Sequence, residues 1–423
     1  MIQGQFAVQS KIYIVLLLKS AGKTDRYIND HRDKYHYVIH FINEAGVFNR
    51  RTKDGYVNIS SAKLRDFLGR RYADCIMREL LVWGIIECDG LQREGIKTYG
   101  YRITSAYQSK TILVNVFKEE VMGRKLKLKQ LEYQQTRKMD IRWRNLTQFG
   151  IREQKALAYI DAKRTTALYV LGPDQVDSIA DVERLYTAEL ESIRKIANEE
   201  FFLEQPDPTS RVYTNLSNLS TDLRQFLYHR KSKSGLMNLD IANSQPYLFS
   251  LLLMDFYRGR ELPTDVKKYI QLTAAGEFYE YLMTKLGIEH DQRKAFKIDF
   301  FGKSYYCSSY YSKRTSEGQF FAEEFPNVAT IIDHYKEEGR KHYDHKPFKH
   351  LAISMQRREA SVILRTIGGQ LEKKKIWFST IHDSVVVLQE HAEEVKILIL
   401  TSFCKAIGVS PKVSEEVLTT GFY

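Results

Sequence analysis

Asp240 and Asp383 are the residues whose setting in the sequence could do chemistry. Leu236–Ile241 reads as a strand with the Asp240 carboxylate near its end, and Ala242-Asn243-Ser244-Gln245-Pro246 leads into the apolar helical run Tyr247–Met254. Far along the chain, Ile376–Ile381 and Val385–Leu388 read as two strands meeting at His382-Asp383-Ser384, a tight junction with a second carboxylate at its tip. An aspartate at a strand end and another at a hairpin tip can meet in one sheet. Paired carboxylates on rigid strands hold two divalent cations about 3.5–4 Å apart, the arrangement that in-line phosphoryl transfer uses. One cation would activate an attacking 3′-hydroxyl and the other would steady departing pyrophosphate. Taken singly, each aspartate reads as a turn or cap residue. The combination carries the expectation that Asp240 and Asp383 are catalytic and bind metal.

Between them lies the segment Asp291–Tyr305, in which Arg293, Lys297, Phe301 and Tyr305 recur at every fourth residue. On a helix this spacing makes a slowly rotating stripe along one face. Two cations followed by two aromatics would grip a triphosphate and then stack against sugar and base. The bland alternative, an amphipathic surface helix with a basic edge, leaves Gly302 unexplained, since mid-helix glycine costs about 1 kcal/mol against alanine.

Arg-x3-Lys-x3-Phe-Gly-x2-Tyr resembles the fingers helix of family A DNA polymerases, position for position. His382-Asp383 resembles that family's third palm motif. Ser384 stands where the family has glutamate, and His-Asp-Ser is the form seen in single-subunit phage-type RNA polymerases. Asp240-x3-Ser244 with Phe249-Ser250 is similar to the first palm motif of those RNA polymerases. Ser210-Arg211-Val212-Tyr213 resembles the element that precedes the palm in both groups, with Ser210 in place of glycine. Met355-Gln356, opening a helix to Ile367, resembles the family A pair that touches the primer-template minor groove. The resemblance runs from Arg211 onward, roughly half the chain.

It implies an α+β right-hand polymerase with an antiparallel palm sheet and helical fingers and thumb. Arg293 and Lys297 would bind the incoming triphosphate, Lys297 also offering a proton to pyrophosphate. Phe301 would pack on the sugar and Tyr305 would close behind the template base. Arg211, Gln356 and His382 would meet the primer-template. Two Mg²⁺ ions, with Mn²⁺ as a substitute, would be held by Asp240, Asp383 and the Ile241 backbone carbonyl. Tyr306 replaces the family glycine after the fingers tyrosine. The glutamate that excludes the ribose 2′-hydroxyl in family A falls five residues after the first aspartate, which here is Gln245; it could accept a hydrogen bond from Tyr305. Two other readings stay open at this point: Gln245 as a helix cap, and Tyr247 as the excluding residue.

The elements that must position these groups follow from the rest of the pattern. Tyr56–Ile59 alternates like a short strand, and Ser60 and Ser61 can cap a helix Ala62–Leu68. After Gly69-Arg70-Arg71 a second helix runs to about Trp83, with Gly84 as its stop. Strands Ile85–Cys88 and Tyr101–Thr104 flank a polar turn. Helix, turn, helix and a two-stranded wing describe a winged helix, with Arg70, Arg71, Arg93 and Lys97 where phosphates would lie. Residues 105–204 read as helical and charged with few strand signals, and Arg124–Arg144 is a basic helical stretch with interleaved apolar residues. Asp181-Val-Glu183 has exonuclease letters in a helical pattern, so no proofreading is expected. The expected division is 1–104 winged helix, 105–205 thumb-like, and 206–423 palm and fingers, the fingers spanning about 255–350.

Composition agrees. The 423 residues carry 64 Lys+Arg against 52 Asp+Glu, a net charge of +12, which favours a polyanionic partner. The expected partners are a DNA primer-template, dNTPs and replication proteins of the host or element, with no membrane, because the apolar runs are too short to span one. A polar start without a signal-peptide pattern leads to a cytoplasmic expectation, in a bacterial cell or phage-infected host. Three functions fit: a DNA polymerase of a phage, plasmid or other mobile element; a compact RNA polymerase or primase-like enzyme; and a non-catalytic replication initiator.

Overall fold

The computed structural model describes residues 4–48, 55–90, 98–171, 175–206, 209–343 and 346–419. The chain folds as two compact units, each discontinuous in sequence: 1–140, 150–201 and 219–226 form the first, and 141–149, 202–218 and 227–423 the second.

In the first unit, strand β1 (Gln5–Gln9) precedes the long helix α1 (Asp25–Phe48), whose Tyr35, Val38, Ile39 and Ile42 enter the core. Then come β2 (Val57–Asn58), α2 (Ser61–Leu68), α3 (Arg70–Val82), β3 (Ile86–Cys88) and β4 (Gly100–Ile103). The Ser60 side chain caps α2 by accepting from the Lys63 N–H. Gly69 alone separates the two helices and adopts φ +88°, a conformation that favours glycine. Arg70 and Arg71 are thus the exposed first residues of α3 and not part of a longer turn. Helix α3 buries Ala73, Ile76 and Leu80, its i, i+3, i+7 stripe. Strand order is β2-β4-β3, all antiparallel. Arg93 and Lys97, in the turn between β3 and β4, lie outside the described residues.

The reading of residues 105–204 as nearly strand-free needs correction. Strand β5 (Thr111–Asn115) pairs antiparallel with β1, Gln5 opposite Asn115. The basic helical stretch also divides: α4 (Arg124–Gln135) ends before a separate short helix, Ile141–Leu146, which belongs to the second unit. Helix α4 buries none of its residues; Lys125 Nζ donates to the Phe67 carbonyl at the end of α2. Helices α5 (Glu153–Val170) and α6 (Val176–Ala197) pack as a pair. Asp181 and Glu183 lie on α6 as the helical pattern predicts, paired with Arg184 and Arg164.

The second unit is built on a four-stranded antiparallel sheet. Its strands are β6 (Leu236–Ile241), β7 (Phe378–Ile381), β8 (Ser384–Leu388) and β9 (Val413–Thr419), in the order β7-β8-β6-β9. Met237, Leu239 and Ile241 alternate onto the core face with Val385 and Val387. Against them packs α7 (Ser244–Phe256), buried along almost its whole length, as its predominantly apolar sequence requires. Truncating a fully buried residue such as Leu239 to alanine costs about 2–5 kcal/mol. Further helices of the unit include α8 (Thr264–Ala275), α9 (Phe278–Leu286), α10 (Arg293–Phe300), α11 (Pro326–Glu338), α12 (Lys349–Ala360) and α13 (Ala392–Ile407). The segment 141–149 is tied to β7: the Asn145 amide donates to the Phe378 carbonyl (2.9 Å), and Trp377 Nε1 to that of Asn145 (3.2 Å). Among the described residues no helix is long and apolar enough to cross a membrane.

Candidate active site

The register of the sheet brings the two sequence-separated aspartates together. The ladder between β6 and β8 ends with Leu239 facing Val385, and Asp240 and Asp383 both lie just beyond that pair, at the same end of the two strands. Residues 382 and 383 form the two-residue link between β7 and β8, where Ile381 faces Ser384. His382 takes φ +56° there, and its ring meets Tyr213 edge-on at 5.7 Å. Ser384 is buried and its hydroxyl donates to the Ile381 carbonyl (3.0 Å), so it serves the hairpin itself.

Burial pushes the Asp240 carboxyl up to about 6, the Asp383 charge adds to the rise, and the Lys297 ammonium opposes it. Two carboxylates that repel one another in a half-buried setting are a site with unbalanced negative charge, which a divalent cation would balance. Asp240 and Asp383, with the Ile241 carbonyl at the strand end, are the groups that fit one. Among the described residues no cluster of three or more His, Cys, Asp or Glu side chains could hold a metal.

The turn after Asp240 is pinned from below. Ala242 N–H donates to the Lys412 carbonyl (2.9 Å), and Lys412 N–H to that of Ala274 (2.8 Å). Gly276, at φ +77°, lets α8 end there; a β-carbon on it would come within 3.3 Å of the Ala242 side chain. Asn243 takes the left-handed conformation at φ +51°, which asparagine tolerates. Its amide oxygen lies 3.4 Å from Arg293 Nη2, and its amide nitrogen is buried without a hydrogen-bond partner. Arg293 is held further by Glu280 (2.6 Å). Arg293 reaches Asn243 in the turn after Asp240, and the Lys297 charge is felt at Asp240. Lys297 is exposed.

The aromatic half of the stripe behaves otherwise. After α10 the helix widens into a π-turn over Phe301–Tyr305, closed by the Tyr306 N–H donating to the Phe301 carbonyl five residues back (2.8 Å). Phe301 and Tyr305 turn into the core, Tyr305 fully so, with its hydroxyl 2.5 Å from that of Tyr269 and its ring against Phe249 and Phe300. They are buried and so not open to stack on a nucleotide here, which corrects the expectation. Neither packing nor a positive φ requires glycine at 302.

Gln245 is the second residue of α7 and makes side-chain contacts instead of capping the helix. Its amide oxygen accepts from the hydroxyl of Tyr306, not Tyr305, at 2.7 Å, and its amide nitrogen lies 3.5 Å from Glu359 Oε2. Tyr247 is fully buried and donates to the Val409 carbonyl (2.7 Å), which removes it as an alternative. Glu359, a residue with no distinguishing sequence signal inside Arg357-Arg358-Glu359, is nearly inaccessible and grips Arg211 with both oxygens, one bond at 2.8 Å. Burial holds Glu359 above the usual carboxylate range, with Arg211 pulling the other way. Arg211 also feels the Asp383 charge. Gln356, half-buried, sits one turn before Glu359 on α12, which starts earlier than Met355 and continues through a π-turn, Ser361–Ile367. That turn lines a groove of about 580 Å³ with Arg142, Gln205, Ser210, Arg357, Arg365 and Glu372. Arg70 and Arg71 belong to the first unit.

No protein-family profile matches the chain, and no curated protein is similar to it. Among solved structures, it is similar to the POL domain of Pol1 from M. smegmatis, in complex with DNA primer-template and dNTP. The TM-score is 0.44 and the identity 14%, over 60% of this chain and 55% of that one. The match thus spans about half of that protein.

Proposed function

We propose that this chain is a template-directed DNA polymerase that extends a primer 3′-end with deoxynucleoside triphosphates. One observation carries the reading: the Asp240 and Asp383 carboxylates interact at one end of the β6–β8 pair, with the Lys297 ammonium beside Asp240. Asp240, Asp383 and the Ile241 carbonyl are the groups that would hold two Mg²⁺ or Mn²⁺ ions. Such ions supply charge neutralisation for the attacking 3′-oxygen and the leaving pyrophosphate.

The remaining roles fall to the chain itself. Arg293, steadied by Glu280, and exposed Lys297 bind the triphosphate by charge-assisted contacts, and Lys297 can hand a proton to pyrophosphate. Gln245 fills the space beside the nucleotide sugar. His382, Arg211 and Gln356 meet the primer-template, and the arginine-lined groove takes a sugar-phosphate backbone. Phe301 and Tyr305 serve as the packed wall that fixes α10, and so Arg293 and Lys297, against the sheet. In the first unit, α2, α3 and the small sheet act as a winged helix that binds duplex DNA, with Arg70 and Arg71 at the start of the second helix. The assignment of 1–104, 105–205 and 206–423 as winged helix, thumb-like region and palm with fingers belongs to the same proposal. So does service in replication of a phage, plasmid or other mobile element without proofreading, alongside replication proteins. The test is extension of a primed DNA template with Mg²⁺ and either dNTPs or NTPs. Extension by dNTPs supports the reading; equal use of NTPs would move the chain to the RNA polymerase class, and none with either would leave a DNA-binding initiator.

A further inference from the structure

Beside the π-turn Phe301–Tyr305, wholly within the second unit, lies a cavity of about 300 Å³ whose lining includes Ser304, Phe321, Ala329, Ile332 and Lys336. Its volume falls at the lower end of the range of small-molecule sites, about 300–1,000 Å³. Lys336, on α11, is 3% exposed and forms no ion pair among the described residues. Its Nζ donates to the Ser304 carbonyl (2.6 Å), which leaves two of the three ammonium hydrogens over. The Ser304 hydroxyl, on a residue 2% exposed, has no hydrogen-bond partner among the described residues. A buried cation and a buried hydroxyl, both short of partners, therefore converge on one cavity.

Buried charges are normally paired, because an unpaired one has lost its water for nothing. Burial pushes the Lys336 pKa below the ordinary lysine value, Lys313 adds to the fall, and Cys307 and Asp333 oppose it. Asp333, three residues earlier on α11, does not serve as the partner; it pairs with Lys313 at 3.3 Å. An anion in the cavity would balance the ammonium and accept from the Ser304 hydroxyl. The walls decide its kind. Phe321, Ala329 and Ile332 suit an apolar body, while Asp333 and the exposed Glu323, which also line the cavity, oppose a second negative charge. We propose that this cavity binds a small monocarboxylic acid with a compact apolar body, its carboxylate received by the Lys336 ammonium and the Ser304 hydroxyl. The bound acid shares the ammonium with the Ser304 carbonyl, and so touches the turn that follows α10.

The probe is para-fluorobenzoate, titrated into the intact chain at constant ionic strength and followed by calorimetry and fluorine NMR, with chloride and inorganic phosphate as comparison anions. Saturable binding at one site per chain is expected, competed by benzoate and not by phosphate. Lys336→Met keeps the apolar stem and removes the charge; it should abolish binding. Ser304→Ala removes one hydroxyl and should weaken binding about tenfold, as loss of a hydrogen bond to a charged group does. Melting temperatures show whether each variant folds, and if Lys336→Met does not, Ser304→Ala decides alone. Binding that never saturates overturns the proposal and leaves Lys336 only as a tie between α11 and the π-turn. Phosphate held as tightly as the carboxylate, or an affinity unchanged in either folded variant, overturns it as well. No nucleotide or DNA enters the measurement, so its failure leaves the polymerase reading untouched.

Discussion

Asp240 and Asp383 stand at the same end of one antiparallel sheet, and the charge of the second raises the proton affinity of the first. In the proposed polymerase these carboxylates would neutralise cations rather than hold a duplex. Asp240→Asn and Asp383→Asn should therefore each lower primer extension by at least about a thousandfold, with DNA affinity within about twofold of wild type. Near-normal synthesis by either variant would remove the pair from catalysis.

The same relationship gives a pH dependence for the metal-free protein. The folded-state value of Asp240, about 6, lies above its ordinary 3.8. A carboxyl raised on folding leaves stability intact below its unfolded value and lowers it as the pH rises through the folded one. In EDTA, thermal stability should thus decline from about pH 4 to about pH 6 through this group. Asp240→Asn should remove that part of the decline and melt several degrees higher than the wild type at pH 7.5, since a rise from 3.8 to about 6 corresponds to about 3 kcal/mol at most. Mg²⁺ should raise the wild-type melting temperature at pH 7.5 and leave that of Asp240→Asn nearly unmoved. An identical pH profile in the two proteins would show that Asp240 is not strained.

Arg293 and Lys297 reach the Asp240 end from α10, Arg293 through Asn243 and Lys297 through its charge. In the proposed role each would contribute a charge-assisted contact to phosphate, worth about 1.5–3 kcal/mol. Arg293→Ala and Lys297→Ala should lower kcat/KM for nucleotide about ten- to a hundredfold, Lys297→Ala mainly through kcat and Arg293→Ala mainly through KM. Steady-state kinetics on a saturating primed template separates these. A loss confined to template affinity would make α10 a DNA-binding face.

Much of this geometry was legible in the sequence where the signal is local. Strand β6 begins and ends where the apolar alternation puts it, Ser60 caps α2, and the His382-Asp383 junction is a hairpin tip. What escaped is non-local or breaks periodicity. Strand β5 pairs with β1 across more than a hundred residues, and nothing in Thr111–Asn115 points to Gln5–Gln9. The resemblance implied that Gln245 accepts from Tyr305, but where the π-turn adds a residue to one turn of helix it is Tyr306 that makes the contact. Glu359 reads as one more charge on a helix, and only the fold shows that Arg211 reaches it.

The last prediction concerns DNA binding by the first unit. Deleting residues 1–104 is not a clean test, because β5 would lose its partner β1 and the buried Phe6 and Val8 beneath it. Substitution is cleaner. Arg70 and Arg71 are exposed at the first turn of α3, where a helix N-terminus and its side chains can both meet phosphate. Neither is needed for the packing of Ala73, Ile76 and Leu80, so Arg70→Ala/Arg71→Ala should fold normally. Each lost phosphate contact reduces the slope of log affinity against log salt by about one, so the double variant should bind duplex DNA with a slope shallower by about two. Its kcat and KM for nucleotide on a saturating primed template should stay at wild-type values, since neither residue is among those proposed to bind nucleotide or metal. Affinity measured by fluorescence anisotropy across a salt series decides the matter. An unchanged slope would mean that the helix pair is a scaffold which touches no phosphate, and that the duplex is held by the arginine-lined groove of the second unit alone.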